Sequence, residues 1–246
     1  MPKTKIEWAD RTINPLVGCH PISDGCKNCY AGNVMFPRLK GIGKGLYGEM
    51  KDFGDITANV DILIDKLESL KKPQRIFLCS MSDLFHQLVP INFISKIFRI
   101  CNEYPMHTFM ILTKRYDRLS KILLTMKDSL PGNIMFGVSI CNISDMVKVY
   151  TQYKAYDIPL FISFEPLLEG MVTKDLFDLI DVSWVIVGAE TGNKRRSFQE
   201  SWALSLLEEA RTRNIPFFFK QQYIDGQKVQ ELKGIKYLEF PKEGNQ

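Results

Sequence analysis

The sequence predicts an α/β chain folded as a single partial or complete parallel β/α barrel of the TIM type. Three observations carry this. From about residue 75, short β-branched or aromatic runs alternate with longer segments of helical spacing, the pattern of parallel strands joined by right-handed crossovers. The runs are nearly continuous in hydrophobicity, as strands buried on both faces are. At 246 residues, 45% of them hydrophobic, the chain is long enough for one such barrel and apolar enough to fill it. A doubly wound open sheet is the alternative architecture.

Taken in order, a first strand is expected over Thr12 to Gly18. The next runs are Arg75 to Ser80, Thr108 to Thr113, Ile134 to Ser139, Leu160 to Phe164, Trp184 to Gly188 and Pro216 to Lys220, about seven strands in all. Between them, Phe93, Ile94, Ile97 and Phe98 recur at helical spacing. So do Trp202, Leu204, Leu206 and Leu207, with Glu208, Glu209 and Arg211 on the other side. Two regions stand outside the repeat: a glycine-bearing, flexible insert at about 36–56 and a polar C-terminal extension from about 223, expected as a hairpin or cap. Gly41, Gly43 and Gly45 do not form a phosphate loop, because no strand precedes them and no Lys-Ser/Thr pair closes them.

Bulk composition bounds the partners. A net charge of +4 permits a nucleic acid or nucleotide without demanding one. The start, Met1-Pro2-Lys3-Thr4-Lys5, has no apolar run after its charges, and no stretch approaches a bilayer span. With six cysteines in such a chain, a reducing cytoplasm is the expected compartment, no membrane partner is expected, and a disulfide framework would be unusual.

The informative stretch runs from Gly18 to Tyr30, where Cys19, Cys26 and Cys29 are spaced C-x6-C-x2-C. Thiolates are soft ligands, and Pro21 with Asp24-Gly25 marks a turn-rich loop on which the three sulfurs can converge. A closed structural zinc site wants four protein ligands, and no fourth cysteine lies nearby. Three thiolates on a 4Fe–4S cube would leave one iron open. Cys79, Cys101 and Cys141 are scattered, and Cys79 reads as a small buried hydrophobe.

In a parallel β/α barrel the site forms at the carboxyl ends of the strands, and each expected strand here ends in polar groups. These are Ser80, Ser82 and Asp83 with His86 behind them, Thr113-Lys114-Arg115, Ser139 with Asn142, Glu165, Gly188 with Glu190, and Lys220-Gln221-Gln222. Bland readings stand beside the functional ones. Glu165 could favour a helix start, Asp83 could be an N-cap, and Lys114-Arg115 could be a solvated pair or an anion clamp. His86, His107 and His20 are more often ordinary polar residues than ligands. Glu190, flanked by glycines, sits where backbone approaches a ligand closely. Trp8, Trp184 and Trp202 read as packing residues.

The chain resembles a phage-associated family of uncharacterised three-cysteine-motif proteins. The resemblance is carried by Ile6-Glu7-Trp8, Asn14-Pro15, Gly18-Cys19, Gly25 to Ala31, Ser80 to His86, Leu112 to Arg115, Gly137-Val138-Ser139, Phe164 to Leu167, Val187 to Gly192 and Phe218 to Gln221. It runs in order from residue 4 to about 222. That family in turn resembles a divergent branch of the radical S-adenosylmethionine (SAM) superfamily, built on a partial β/α barrel. The resemblance implies Cys19, Cys26 and Cys29 as ligands of a 4Fe–4S cluster, SAM bound at its open iron, and a 5′-deoxyadenosyl radical as product. It further implies cofactor contacts among Ser80, Ser82, Asp83, Thr113, Lys114, Ser139, Gly188 and Glu190, with Glu165, Glu190 and Lys220 facing the chemistry. An electron donor is a required partner, and a nucleotide or nucleic-acid base is the substrate class expected. Two departures stand out: six residues rather than three between the first two cysteines, and Asn28 where an aromatic residue usually precedes the third.

Two other functions compete. One is a non-catalytic zinc protein on the same cysteines, with His20 or another residue as fourth ligand. The other is a metal-independent barrel hydrolase using Glu165 and Glu190 as an acid/base pair.

Overall fold

The computed structural model describes residues 4–242. Its main sheet has eight strands: β1 (Arg11–Ile13), β4 (Arg75–Leu78), β5 (Thr108–Thr113), β6 (Ile134–Ser139), β7 (Leu160–Phe164), β8 (Val182–Gly188), β9 (Phe217–Ile224) and β10 (Gln227–Val229), adjacent in that order. The first seven are mutually parallel, and β10 returns antiparallel to β9. A doubly wound sheet reverses its strand order at a switch point. Here the order never reverses, so every crossover lies on the same face and the sheet curls into a partial β/α barrel. β1 and β10 are its unpaired edges. Among the described residues no helix is long and apolar enough to cross a membrane.

The expected first strand is two. β1 lies in the main sheet, whereas β2 (Leu16–Val17) pairs antiparallel with β3 (Thr57–Ala58) in a separate ribbon. Pro15 between them lacks the N–H that a continuous ladder needs. β9 is longer than expected, because Asp225 and Gly226 both take positive φ (49° and 77°) and turn it tightly into β10. Lys220, Gln221 and Gln222 therefore lie within a strand rather than at its end.

Helices α2 (Asp61–Glu68), α3 (Ile91–Glu103), α4 (Tyr116–Met126), α5 (Ile143–Gln152), α6 (Lys174–Leu179) and α7 (Glu200–Thr212) follow their strands. In α3, Ile94, Ile97 and Phe98 bury against the sheet as their spacing requires. In α7 the buried stripe is Ala203, Leu206, Leu207 and Ala210, with Trp202 and Leu204 at its margin.

Strand alternation sorts the side chains into two cores. Ile76, Leu78, Phe109, Ile111, Phe136, Val138, Leu160, Ile162, Val185, Val187, Phe217 and Phe219 face the helices. Their neighbours Phe77, Met110, Phe161, Trp184, Ile186 and Phe218 point into the barrel, where Trp8 joins them as a floor. Gly137 is required there, since a Cβ would stand 2.4 Å from the Phe161 ring. The C-terminal extension completes the floor. It runs antiparallel beside β9 through Tyr237 to Glu239 and brings Phe240 against Trp184 and Phe218, with Arg75 stacked 3.7 Å above its ring.

The 36–56 insert is folded rather than a loose glycine loop. It carries α1 (Phe36–Gly41) and a 3-10 turn at Gly45–Gly48. Phe36 and Met50 pack with Val17 and Met81 into a third small core, flanked by Leu46, Tyr47 and Phe53.

Candidate functional site: a thiol loop at the barrel rim

Cys19, Cys26 and Cys29 are free, partly exposed thiols on the loop that follows β2. The loop starts from a fixed backbone. Gly18 has φ +95°, and a Cβ there would lie 2.1 Å from the Asp55 carbonyl oxygen, so only glycine fits. Gly18 N–H donates to Met81 O (3.1 Å) and Cys19 N–H to Phe53 O (2.8 Å), which ties the loop to the β4 end and to the insert. Gly25 packs so closely on Cys141 that a Cβ would stand 2.2 Å from its sulfur.

Side chains from three further strand ends hold the loop. After β5, Arg115 donates to His20 O (3.1 Å) and to Cys19 Sγ (3.8 Å). Its guanidinium is fixed by a buried ion pair with Asp83 (2.8 Å). Asp83 also accepts from Thr113 Oγ1 (2.7 Å) and from the backbone of Phe85 and Lys114. After β4, His86 Nε2 meets His20 Nδ1 at 3.0 Å. His86 Nδ1 accepts from Leu88 N–H, so its proton sits on Nε2 and is given to His20. Burial, and then the Arg115 charge, push the His86 pKa down to about 4. After β8, Glu190 accepts from Asn28 Nδ2 (3.0 Å) and forms a bidentate pair with Arg196. Arg196 reaches on to Asp24 at 2.7 Å. Despite the burial that opposes it, the hydrogen bonds from Arg196 and Asn28 hold the Glu190 carboxyl below its ordinary range.

The sequence-predicted residues thus fall into three groups. Asp83, Thr113 and Glu190 are spent on holding the thiol loop. For Glu190, an ionised carboxylate with its acceptor sites occupied is a poor acid/base, which removes the paired-carboxylate geometry a barrel hydrolase would need. Ser80 and Ser82 bond to Asn14 Oδ1 and Leu16 O and fasten β4 to the β1–β2 bend. The third group lines the barrel above the apolar floor. Glu165 pairs with Lys220 at 2.9 Å, Ser163 Oγ approaches Glu165 at 3.4 Å, and Lys114 Nζ donates to Ser139 Oγ at 2.6 Å. Gly188 leaves them room, because a Cβ there would lie 2.8 Å from both Glu165 Oε1 and Gln221 Nε2.

Sequence reasoning missed Arg196, Asn28, Asp24 and Cys141 as parts of this site. The basic run Lys194-Arg195-Arg196 after the Glu190 turn was a signal for the first, since a lone buried carboxylate requires a cation. Nothing local marked Cys141, whose place depends on contact with Gly25 across the chain.

The donor set suits a thiolate-bound cluster. Burial, and then the Asp83 charge, push the Cys19 thiol up to about 11, with Arg115 opposing. Cations stand at both ends of the loop, Arg115 beside Cys19 and Lys114 beneath Gly25. Among the described residues no three His, Cys, Asp or Glu side chains gather closely enough to hold a single metal ion.

Fold and site together define a half-open β/α barrel with a three-thiol loop at the carboxyl end of its strands. The chain belongs to the family described as "Protein of unknown function (DUF5131)", which it matches over residues 3–238. No curated protein matches it in sequence. Among solved structures it is similar to a tyrosine-to-phenylalanine variant of spore photoproduct lyase, at 14% identity and TM-score 0.46, covering 76% of this chain and 58% of that one. A cysteine-to-serine variant of the same lyase gives 15% identity and TM-score 0.49 over 86% of this chain and 74% of that one. A third variant, with bound AdoMet and dinucleoside spore photoproduct, gives 13% and 0.46 over 82% and 61%. The chain spans just over half the length of the first of these. Likenesses at this level carry no functional weight.

Proposed function

We propose that this protein is a radical SAM enzyme in which Cys19, Cys26 and Cys29 hold a 4Fe–4S cluster at the barrel rim. The observation that carries the reading is the thiol loop itself. Three sulfurs and no fourth stand on a loop anchored from four directions, at the end of a parallel barrel where sites form. Cys19, Cys26 and Cys29 would hold the cluster, and the chemistry it would supply is one electron for cleavage of the sulfur–C5′ bond of SAM, which gives methionine and a 5′-deoxyadenosyl radical.

The remaining work belongs to this chain's own side chains. Asp83 fixes Arg115, and Glu190 with Arg196 fixes Asn28 and Asp24, so the loop is oriented before any ligand arrives. The apolar floor of Trp8, Phe161, Trp184 and Phe218 excludes water from the lower barrel. Above it Glu165 and Lys220 face the substrate space as a buried ion pair that can orient a polar group. A nucleotide or nucleic-acid base is the proposed substrate class, supported by the mild positive charge of the chain. SAM contacts are assigned to Ser139, Lys114 and the backbone at Gly188, which lie at the carboxyl ends of β6, β5 and β8.

The test is iron and acid-labile sulfide content after anaerobic purification, with electron paramagnetic resonance of the reduced protein with and without SAM. About four irons and four sulfides per chain, with a signal that SAM perturbs, are expected. One zinc and no sulfide would return the cysteines to a structural role and overturn the proposal.

A further inference from the structure

Strand β5 ends in two consecutive cations, and they are not equivalent. Arg115 reaches Cys19, but its charge is already balanced by Asp83 at 2.8 Å. Lys114 runs inward beneath the thiol loop. Its Cε lies 3.3 Å from where a Gly25 Cβ would stand, and its Nζ donates to the neutral hydroxyl of Ser139 at 2.6 Å. That hydroxyl passes its own proton to Glu165 O. Among the described residues Lys114 forms no ion pair with any carboxylate. The groups that could balance it are, in order, the thiols of Cys141 and Cys26, the Asp145 carboxylate and the Cys29 thiol. A buried ammonium without a counter-ion is costly. Two of these four groups, the Cys26 and Cys29 thiols, are on the thiol loop, where a bound cluster would add the negative charge that faces the ammonium.

We propose that Lys114 is the counter-charge of the iron–sulfur cluster, a positioning residue that raises its reduction potential. The inference rests on the function proposed above. Three thiolates and the cube carry net negative charge, and taking up one electron from a reductant adds another while breaking no bond. A fixed cation beneath the loop stabilises the more negative state, and burial strengthens its effect. Ser139 holds the ammonium in place, and Gly25 allows its approach.

The test is a dithionite titration followed by electron paramagnetic resonance, without SAM, on reconstituted wild type, Lys114→Met and Lys114→Arg. The Met variant is expected to titrate at a more negative potential with iron and sulfide per chain unchanged, and the Arg variant to titrate close to wild type. A Met variant that titrates at the wild-type potential would overturn the proposal. If the Met variant holds no cluster, Lys114→Gln, which keeps a hydrogen bond to Ser139 without the charge, decides by the same criterion. A wild type that binds zinc and no iron would remove the proposed function itself. That outcome is distinct from a wild-type cluster whose potential ignores Lys114.

Discussion

The floor and the rim of the barrel are built by the same strands two residues apart, yet they hold together in different ways. Phe161 and Ser163 are successive inward residues of β7, Phe218 and Lys220 of β9, Ile186 and Gly188 of β8. On the floor each ring meets several others: Trp184 contacts Trp8, Phe161, Phe218 and Phe240. At the rim each polar group has a few partners at fixed distances, and Arg115, His86, Glu190 and Arg196 reach the thiol loop itself. Dispersion contacts are many and interchangeable, whereas hydrogen bonds and ion pairs are few and directional. The floor should therefore report on global stability and the rim on the geometry of one loop.

The largest effect expected is on the floor. Trp184→Ala removes the central ring and the hydrogen bond from its Nε1 to Glu239 O. It should cost about 3–5 kcal/mol, read as a fall in Tm of order 10 °C for a chain of this size. Denaturant unfolding should show the loss with an unchanged slope. A loss under about 1 kcal/mol would mean that the floor is not what plugs the barrel.

Next comes the backbone at the start of the thiol loop. Gly18→Ala forces a Cβ onto a residue at φ +95° and into the Asp55 carbonyl, for roughly 2 kcal/mol or more. Its signature should be local, as faster alkylation of Cys19 and Cys26 at temperatures where the barrel remains folded. Gly132→Ala, with open space around it, is the matched control and should be nearly neutral. Equal behaviour of the two variants would break the claim that the loop is fixed by its first residue.

The division between floor and rim also decides what the sequence could disclose. Nearly unbroken hydrophobic runs of three to five residues in Phe109 to Leu112, Leu160 to Phe164 and Phe217 to Phe219 announce parallel strands, because burial on both faces is a property of each strand alone. The cysteine spacing likewise exposes the thiol loop as a local pattern. The partners of that loop were hidden, since Arg196 and Asn28 meet across 168 positions of chain only through Glu190, and Cys141 meets Gly25 only once the barrel closes. Composition also misled in the insert. Its glycines suggested a loose segment, but Phe36, Met50 and Tyr47 supply a small core that glycine content does not reveal. Pro15 was legible as a strand breaker and went unused.

Glu190→Gln sharpens the rim side of the comparison at a smaller magnitude. The amide keeps the shape but loses one acceptor and the charge that pairs with Arg196, for about 1–3 kcal/mol. Because the folded-state pKa is held below the ordinary carboxylate value, this contribution is present above the unfolded pKa and disappears as pH falls through the folded one. Wild type and variant should therefore differ in stability at neutral pH and converge only once the pH has fallen below the ordinary carboxylate range. His86 acts in a different window. With its pKa depressed from 6.5 to about 4, its contribution is complete above pH 6.5 and declines as pH falls towards 4. Stability measured against pH should fall in two stages, and because Asp10, Glu200 and Glu239 are also held below the ordinary carboxylate range, Glu190→Gln should shrink the more acidic stage without removing it and leave the higher one unchanged. A single stage, or loss of the higher one, would contradict the assignment.

The smallest effect expected lies at the seam where the barrel fails to close. Lys228 of β10 pairs with Glu7 ahead of β1, and both side chains are well exposed, at 44% and 29%. Among the described residues no ladder joins β1 to β10; this contact spans the gap on that side, while Phe240 beneath Arg75 covers the floor end. An exposed pair is worth about 0–1 kcal/mol and is screened by salt. Lys228→Ala should therefore barely move the unfolding midpoint, and raising the ionic strength should erase even that difference. Hydrogen exchange should nonetheless quicken in β10 and stay slow in β7 and β8, whose neighbours on both sides are strands. A cost approaching that of Trp184→Ala would show that the seam, rather than the aromatic floor, holds the barrel in its half-closed form.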